Sequence, residues 1–334
     1  MVKAVKTMND NKKTNGLSLL LTNRQVLMGL ALIWIYLFHA KRFGVSIIDQ
    51  INDYGWIGVE VFVFLSAIGL ASSLEKNSLS QYFKNRFKRI IPTWVVVLIL
   101  IHLIGVAGNH FMPELPFHYP SGLKQCFLWY TGLGFWLSPV IGESPNNCYE
   151  WYVPTILVFY LIAPLLSKRS VNTLVAILVC AMVFVCIQRE TQWCKEIEIA
   201  TSRLPIFITG FLYYYCCKKE NLERKFYLFG GGFLFLLTVL FYASLITSLR
   251  VVLALLVPMA LVVISKFMVK GMHLPFLSLV GALSLEMYLL HLDQRPYYLV
   301  NLVIVNVTIA NIVTFFVVLL AAYILSKCMK FVIK

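Results

Sequence analysis

Residues 30–40 read LALIWIYLFHA, an apolar run that carries one histidine, His39. With the apolar residues before it, the run reaches the roughly 20 residues that a helix needs to cross the hydrocarbon core of a bilayer. A titratable side chain inside such a helix is costly to bury, so it is a candidate functional residue by default. The stretch therefore predicts a membrane-spanning helix and singles out His39.

The composition of the whole chain is typical of a membrane protein. Of the 334 residues, 60% are hydrophobic and 13% are charged, against roughly 25% charged residues in an ordinary soluble domain. The net charge of +14 comes from short basic loops and the two ends, with no basic stripe interleaved with aromatic residues. It therefore indicates membrane topology and contact with anionic lipid, and no nucleic acid partner is expected. The sequence shows no His/Cys cluster with metal-ligand spacing, so no metal site is expected.

Ten apolar segments of spanning length can be distinguished, and the loops between them are alternately basic. Because basic loops stay on the cytoplasmic side, the alternation predicts an all-α integral membrane protein with about ten transmembrane helices and both termini in the cytoplasm. The expected organisation is a cytoplasmic tail at 1–19, a membrane domain at 20–328 and a C-terminal tail at 329–334. The expected spans lie at 20–40, 56–75, 91–109, 151–167, 171–188, 202–217, 226–246, 249–266, 274–292 and 303–326.

The longest connection, at about 110–150, is expected outside the membrane. Its aromatic middle, CFLWYTGLGFW at 126–136, is too short for a span, so we interpret it as an interfacial or re-entrant lid. Lys41 and Arg42 are exceptions to the charge alternation, because the predicted topology places both of them outside. Three cysteines are expected on this outer side and are candidates for pairing: Cys126, Cys148 and Cys194.

Two polar side chains near the outer ends of the first two spans are candidates for a base and its orienting acid. Imidazole has an unperturbed pKa near neutrality, so His39 is a candidate general base; the alternative is a histidine that only anchors the helix at the interface. Glu60 lies early in the second span, and because sequential spans are antiparallel it is expected at the level of His39. The alternative for Glu60 is a structural hydrogen-bonding acid.

Three further groups of residues are candidates. Arg86 and Arg89 are three apart in the basic segment FKNRFKRIIP, where guanidinium groups suit phosphate ligands; the alternative is a signal that sets topology. SLEMYLLH places Ser284, Tyr288 and His291 on one stripe of a helix, and such a stripe faces a bundle or a cavity. Glu150 and Trp151 open the fourth span at the outer interface, where aromatic-belt anchoring explains Trp151 but not Glu150.

With these residues assembled, the chain resembles the acyltransferase-3 family of integral-membrane acyltransferases over roughly residues 20–295. Four blocks in order carry the likeness: LALIWIYLFHA; GVEVFVFLSAIGL followed by YFKNRFKRIIPTW; EWYVPTILVFYLIAPLL; and LSLVGALSLEMYLLH. Members typically transfer an acyl group, usually acetyl, from a cytoplasmic acyl-CoA to hydroxyls of surface glycans.

The resemblance implies a role for several of these residues. His39 matches the catalytic histidine, Glu60 the acidic position of the second block, and Arg86 and Arg89 the cytoplasmic arginine pair; Trp151, Tyr288 and His291 match positions in the later blocks. Two departures stand out. The family has arginine where this chain has Met28, with Arg24 one turn earlier on the same face, and it has glycine where this chain has Ala67.

The expected function is an O-acyltransferase of a cell-surface or lipid-linked polysaccharide, located in the cell membrane and, in a bacterium, in the inner membrane. Acyl-CoA enters as the donor substrate, the saccharide is the acceptor partner, and no cofactor is expected to stay bound. Two alternatives remain: a non-enzymatic transporter or exporter of glycans, and a degenerate member of the family that acts as a scaffold. Transporters of this size often show repeats or paired broken helices, and we find none in the sequence.

Overall fold

A computed structural model describes residues 15–111, 119–141, 151–268, 274–291 and 295–332. Within these ranges all regular structure is helical, with a short 3-10 turn at Lys195–Ile197. The first helices are α1 (Gly16–Thr22), α2 (Arg24–His39), α3 (Ser46–Asn52), α4 (Ile57–Lys76), α5 (Leu79–Phe111), α6 (Gly122–Thr131), α7 (Leu133–Ile141) and α8 (Tyr152–Leu166). The later helices are α9 (Val171–Thr191), α10 (Glu198–Thr201), α11 (Leu204–Cys216), α12 (Glu220–Tyr242), α13 (Leu249–Met268), α14 (Pro275–Ala282), α15 (Ser284–His291), α16 (Arg295–Asn301) and α17 (Val307–Val332).

The all-helical membrane architecture agrees with the prediction from the sequence. Six helical stretches in the described residues are long and apolar enough to cross a bilayer. They are α3 together with α4, then α5, α9, α12, α13 and α17. A seventh span results if α1 and α2, which meet at an angle of 67°, are counted as one. Each of these stretches overlaps a predicted span, although Ser46–Lys76 and Leu79–Phe111 begin ten or more residues before the predicted starts at 56 and 91.

The three other predicted spans correspond to shorter helices. Helix α8 has 15 residues and α11 has 13, so they extend about 22 Å and 20 Å, less than the roughly 30 Å hydrocarbon core. The segment predicted at 274–292 is divided at Leu283 into α14 and α15. The count of ten spans and the cytoplasmic location of both termini therefore stay predictions.

Helices α4 and α11 pack against each other in the centre of the bundle, where Phe64 of α4 and Phe207 and Phe211 of α11 are fully buried. At their contact, a Cβ on Gly210 would clash with the Cβ of Ala67. The absence of a side chain at Gly210 thus leaves room for the methyl group at Ala67, the position where the resemblance predicts glycine.

Helices α2 and α14 approach each other closely. A Cβ on Gly29 would overlap the carbonyl oxygen of Leu277, and a Cβ on Gly281 would overlap that of Gln25. Glycine at both positions therefore lets the two backbones touch, as small residues do between membrane helices. The contact holds α15, which follows α14 directly, beside α2.

The long helix α12 turns large apolar side chains outward. Leu228, Phe229 and Phe235 are 69%, 68% and 73% exposed, which would be costly in water but suits contact with lipid tails. At one end of the bundle, Lys218 forms an ion pair with Glu75, and this hydrogen bond raises the pKa of Lys218. The pair links the end of α4 to the residues after α11.

The connection that the sequence predicts outside the membrane contains two described helices, α6 and α7. The indole Nε1 of Trp136 donates to the carbonyl oxygen of Pro154 at 3.3 Å, so α7 is tied to α8. Cys126 and Cys194 are free thiols, and Cys148 lies outside the described residues. A role of this connection as a lid stays a prediction.

Reporter fusions test the topology that the charge alternation predicts. A fusion after Lys219 is expected on the cytoplasmic side, and a fusion after Pro116, which lies outside the described residues, on the opposite side. An alkaline phosphatase and a green fluorescent protein fusion at each position give opposite signals. If both positions report the same side, the predicted topology is wrong.

Candidate active site

Two cavities lie one beyond the other along the same two helices, α2 and α15. Arg24 of α2 and Tyr288 of α15 line the first, while His39 of α2 and His291 of α15 line the second. Arg24 and His39 are separated by about 22 Å of helix, because each residue rises 1.5 Å. The rings of Tyr288 and His291 are in contact, with centroids 5.7 Å apart, so the two cavities adjoin at this pair.

The first cavity, which we call the arginine cavity, encloses about 60 Å³ and is lined by Arg24 together with Arg86 and Arg89 of α5. The described residues that line it include no carboxylate. The Nε atoms of Arg24 and Arg86 are buried and have no hydrogen-bond partner among the described residues. Glu286 acts on Arg89 from outside the lining, but since like charges in close proximity repel, three guanidinium groups in a cavity lined by no carboxylate favour an anionic ligand.

Residues predicted from two distant parts of the chain meet in the arginine cavity. Arg86 and Arg89 belong to the basic segment, and Ser284 and Tyr288 come from the polar stripe of α15. Tyr152 of α8 completes this wall, and its ring lies 5.0 Å from that of Tyr288, measured between centroids. The structure therefore joins the predicted cation pair and two members of the predicted stripe in one cavity.

The arginine cavity also accounts for the departure at Met28. Met28 lines the cavity at the position where the resemblance predicts arginine, and Arg24 brings its guanidinium group into the same cavity from one turn earlier. The two residues are four apart on one helical face, and a long arginine side chain spans the difference. The positive charge missing at position 28 is thus present in the cavity from position 24.

The second cavity, which we call the histidine cavity, encloses about 20 Å³ around His39 and His291. Nδ1 of His39 lies 2.9 Å from the carbonyl oxygen of Ile35 and 3.3 Å from Nε2 of His291. Nδ1 of His291 lies 2.9 Å from the carbonyl oxygen of Met287. His291 is buried, whereas His39 is partly exposed at the end of α2.

These contacts assign the protons of the neutral rings. A carbonyl oxygen only accepts hydrogen bonds, so Nδ1 carries the proton in both His39 and His291. The single Nδ1–H of His39 is then shared between the carbonyl oxygen of Ile35 and, at the longer distance, Nε2 of His291, which leaves the lone pair on Nε2 of His39 available. In this arrangement Nε2 of His39 can accept a proton, while His291 contacts the opposite nitrogen of the same ring. The sequence does not reveal this pairing, because the two residues are 252 positions apart.

Glu60 belongs to a different cluster from the one predicted. Its Oε1 lies 3.4 Å from Nε of Arg203 and 3.9 Å from Nε of Arg250, and Glu60 and Arg203 are each 1% exposed. The described contacts of His39 include Ile35 and His291 but not Glu60. The expectation that Glu60 orients His39 is therefore corrected. A buried carboxylate requires a nearby cation. Arg203, immediately before α11, and Arg250 of α13 supply the positive charge beside Glu60.

The charged cluster continues through two more ion pairs. Arg250 lies 3.7 Å from Glu198, and Arg189 lies 3.1 Å from the same carboxylate. The guanidinium of Arg203 stacks on the ring of Trp151, with Cζ 4.5 Å from the ring centroid. Trp151 thus has a structural contact, and its predicted neighbour Glu150 lies outside the described residues. Arg203, Arg250 and Glu198 are not among the site residues predicted from the sequence; the available signal was three charged residues at the edges of apolar segments.

Glu60→Gln is expected to destabilise the fold by about 3–5 kcal/mol, because it leaves the buried Arg203 without its carboxylate and removes one of the two carboxylates beside Arg250. Thermal unfolding in detergent measures the effect. The control is Asp53→Asn, which removes the exposed ion pair with Arg42 and should cost less than about 1 kcal/mol. If Glu60→Gln unfolds at the wild-type temperature but has lost turnover, Glu60 has a catalytic role and not a structural one.

Comparison with known proteins provides independent evidence on the family. A family model described as "Acyltransferase domain", that of acyltransferase-3, matches residues 25–328, nearly the whole chain. Comparisons with curated proteins and with solved structures give no significant match. The matched region contains every described residue that lines the two cavities except Arg24, which precedes it by one position. This multi-pass membrane chain belongs to the acyltransferase-3 family and is an acyltransferase.

Proposed function

We propose that the protein transfers a short acyl group, acetyl in the simplest case, from acyl-CoA to a hydroxyl of a cell-surface or lipid-linked saccharide. The observation that supports this proposal most is the alignment of the two cavities along α2 and α15. An anion site at one end and an oriented base at the other match the two ends of the reaction, since acyl-CoA carries its phosphates far from its thioester.

The arginine cavity supplies the donor site in this proposal. Arg89 is exposed at the mouth, while Arg24 and Arg86 are partly buried, so the cations extend from solvent into the protein. The enclosed volume of about 60 Å³ admits a narrow chain but no nucleotide. The CoA phosphates would therefore bind at the mouth, and the pantetheine arm would extend towards Tyr288.

The histidine cavity supplies the chemistry. Nε2 of His39 removes the proton from the acceptor hydroxyl, and the oxygen attacks the thioester carbonyl carbon. The C–S bond then breaks, the acyl group stays on the acceptor oxygen, and the CoA sulfur takes the proton from His39. During this cycle His39 is briefly an imidazolium, and Nε2 of His291 accepts the hydrogen bond from its Nδ1–H throughout. His291 is a positioning residue in this scheme.

Purified full-length protein with radiolabelled acetyl-CoA tests the proposal. We expect the label to move to a saccharide acceptor in the wild type and to remain on CoA in His39→Ala. A transporter or a scaffold would leave the label on CoA in both proteins. Label on the saccharide at equal rates in both would exclude the histidine mechanism while retaining the acyltransferase.

A further inference from the structure

The rim of the histidine cavity carries a lysine that the reaction scheme does not use. Ala40 and Tyr297 line the cavity, and Lys41 and Tyr298 are the residues that follow them in the chain. Nζ of Lys41 lies 5.9 Å from the ring centroid of Tyr297 and 5.5 Å from that of Tyr298. A cation backed by two aromatic rings, one of which belongs to a lining residue, therefore lies next to the histidine cavity.

No carboxylate among the described residues forms an ion pair with Lys41. The ammonium group of Lys41 contacts the two tyrosine rings instead. The adjacent cation differs, because Arg42 pairs with Asp53 at 3.3 Å. Lys41 is also one of the two cations that the charge alternation places outside, against the usual preference of basic residues for the cytoplasmic side. The preference of basic residues for the cytoplasmic side therefore does not explain a lysine at position 41.

The backbone at Lys41 is held in place. Nδ2 of Asn311, a buried residue of α17, donates to the carbonyl oxygen of Lys41 at 2.8 Å, and the hydroxyl of Tyr36 donates to the carbonyl oxygen of Asn311 at 2.7 Å. Tyr36 itself lines the histidine cavity. The position of Lys41 is therefore fixed relative to the cavity by buried hydrogen bonds.

From these contacts we infer that Lys41, Tyr297 and Tyr298 form an acceptor subsite that selects a saccharide bearing an anionic group, a carboxylate or a phosphate. This inference rests on the proposed function and specifies its acceptor. Tyrosine rings offer an apolar face to a sugar ring and a hydroxyl to its polar edge, and an ammonium group forms charge-assisted hydrogen bonds with an anion. Because the rim adjoins a small cavity, the anion belongs to the acylated sugar or to its immediate neighbour.

The test compares three disaccharides that differ at one terminal group: glucose, glucuronate or glucose 6-phosphate. Binding to the full chain in phosphatidylcholine nanodiscs is measured by calorimetry, and the KM of each disaccharide is measured with acetyl-CoA as donor. The wild type is expected to prefer at least one anionic disaccharide over the neutral one by tenfold or more, and to lose preference as salt rises. Lys41→Gln should remove most of that preference without changing the KM for acetyl-CoA. Arg42→Gln is the matched control and should keep it.

Equal affinity for the three disaccharides, including no measurable binding of any, would overturn the inference, and so would an unchanged preference in Lys41→Gln. A Lys41→Gln defect that appears only when phosphatidylglycerol is added to the nanodiscs would identify a lipid contact and would also overturn it. A different result would contradict the proposed function, namely the absence of acyl-CoA binding or of acyl transfer to any hydroxyl. Transfer to the neutral and anionic disaccharides at equal rates would leave it standing while removing the acceptor subsite.

Discussion

His39→Ala is expected to lower the rate of acyl transfer by about 10²–10⁴-fold while the protein still inserts and folds. The reason is that Nε2 of His39 has the free lone pair in the histidine cavity, whereas both nitrogens of His291 are engaged. Turnover with radiolabelled acetyl-CoA measures the loss, and the acetyl-CoA affinity of the variant shows that the donor site is intact.

His291→Gln is the informative companion to this variant. An orienting role predicts a smaller loss in kcat than His39→Ala causes, with the KM for acetyl-CoA unchanged, because the partner of Nδ1 is altered but the base remains. Wild-type turnover in His39→Ala would rule out this mechanism. A loss in His291→Gln equal to that of His39→Ala would instead assign the two histidines a joint chemical role.

Replacing the arginines that line the arginine cavity is expected to weaken donor binding more than any other change. Arg86→Gln with Arg89→Gln should cost at least about 2 kcal/mol, more than tenfold in acyl-CoA affinity, because charge-assisted bonds to phosphate are roughly twice as strong as neutral ones. Arg24→Gln should add to the loss, since Arg24 supplies the charge missing at Met28. Substitution of Arg86 and Arg89 by lysine should retain only part of the acyl-CoA affinity, because lysine keeps the charge but lacks the bidentate geometry of arginine.

Lys84→Gln with Lys88→Gln is the matched control for the arginine pair. These two lysines lie on the same helix, are exposed and do not line the cavity, so their loss removes the same charge from the basic segment. Donor affinity should stay at the wild-type value. Two results would instead assign the basic segment to membrane topology and place the donor site elsewhere. One is an equal loss of acyl-CoA affinity in the lysine-pair and arginine-pair variants. The other is full wild-type affinity with lysine at positions 86 and 89.

Much of the fold could be predicted from the sequence, because apolar length and the alternation of basic loops depend only on local composition. The short helices α8 and α11 and the break between α14 and α15 could not. Helix α11 is surrounded by other helices, so its apolar residues are buried in protein and its length need not match the bilayer. Periodicity predicts which face of a helix is apolar, but not which neighbour covers that face.

The same limit applies to the candidate site. The resemblance located His39 and the arginine pair, and the 3–4 spacing placed Ser284, Tyr288 and His291 on one stripe. The partners depended on packing: His39 meets His291 instead of Glu60, and Glu60 meets two arginines from α11 and α13. A carboxylate and an imidazole at similar depth are compatible with contact, but the rotation of α4 about its axis decides whether they touch.

The central claim is that the acyl group passes between an arginine cavity and a histidine cavity that adjoin inside one chain. Sealed proteoliposomes with labelled acetyl-CoA trapped inside and an impermeant saccharide outside test it most directly. The account predicts labelled saccharide outside and free CoA retained inside, with no label transferred by His39→Ala. Transfer that requires donor and acceptor on the same side, or intact acetyl-CoA appearing outside, would contradict it.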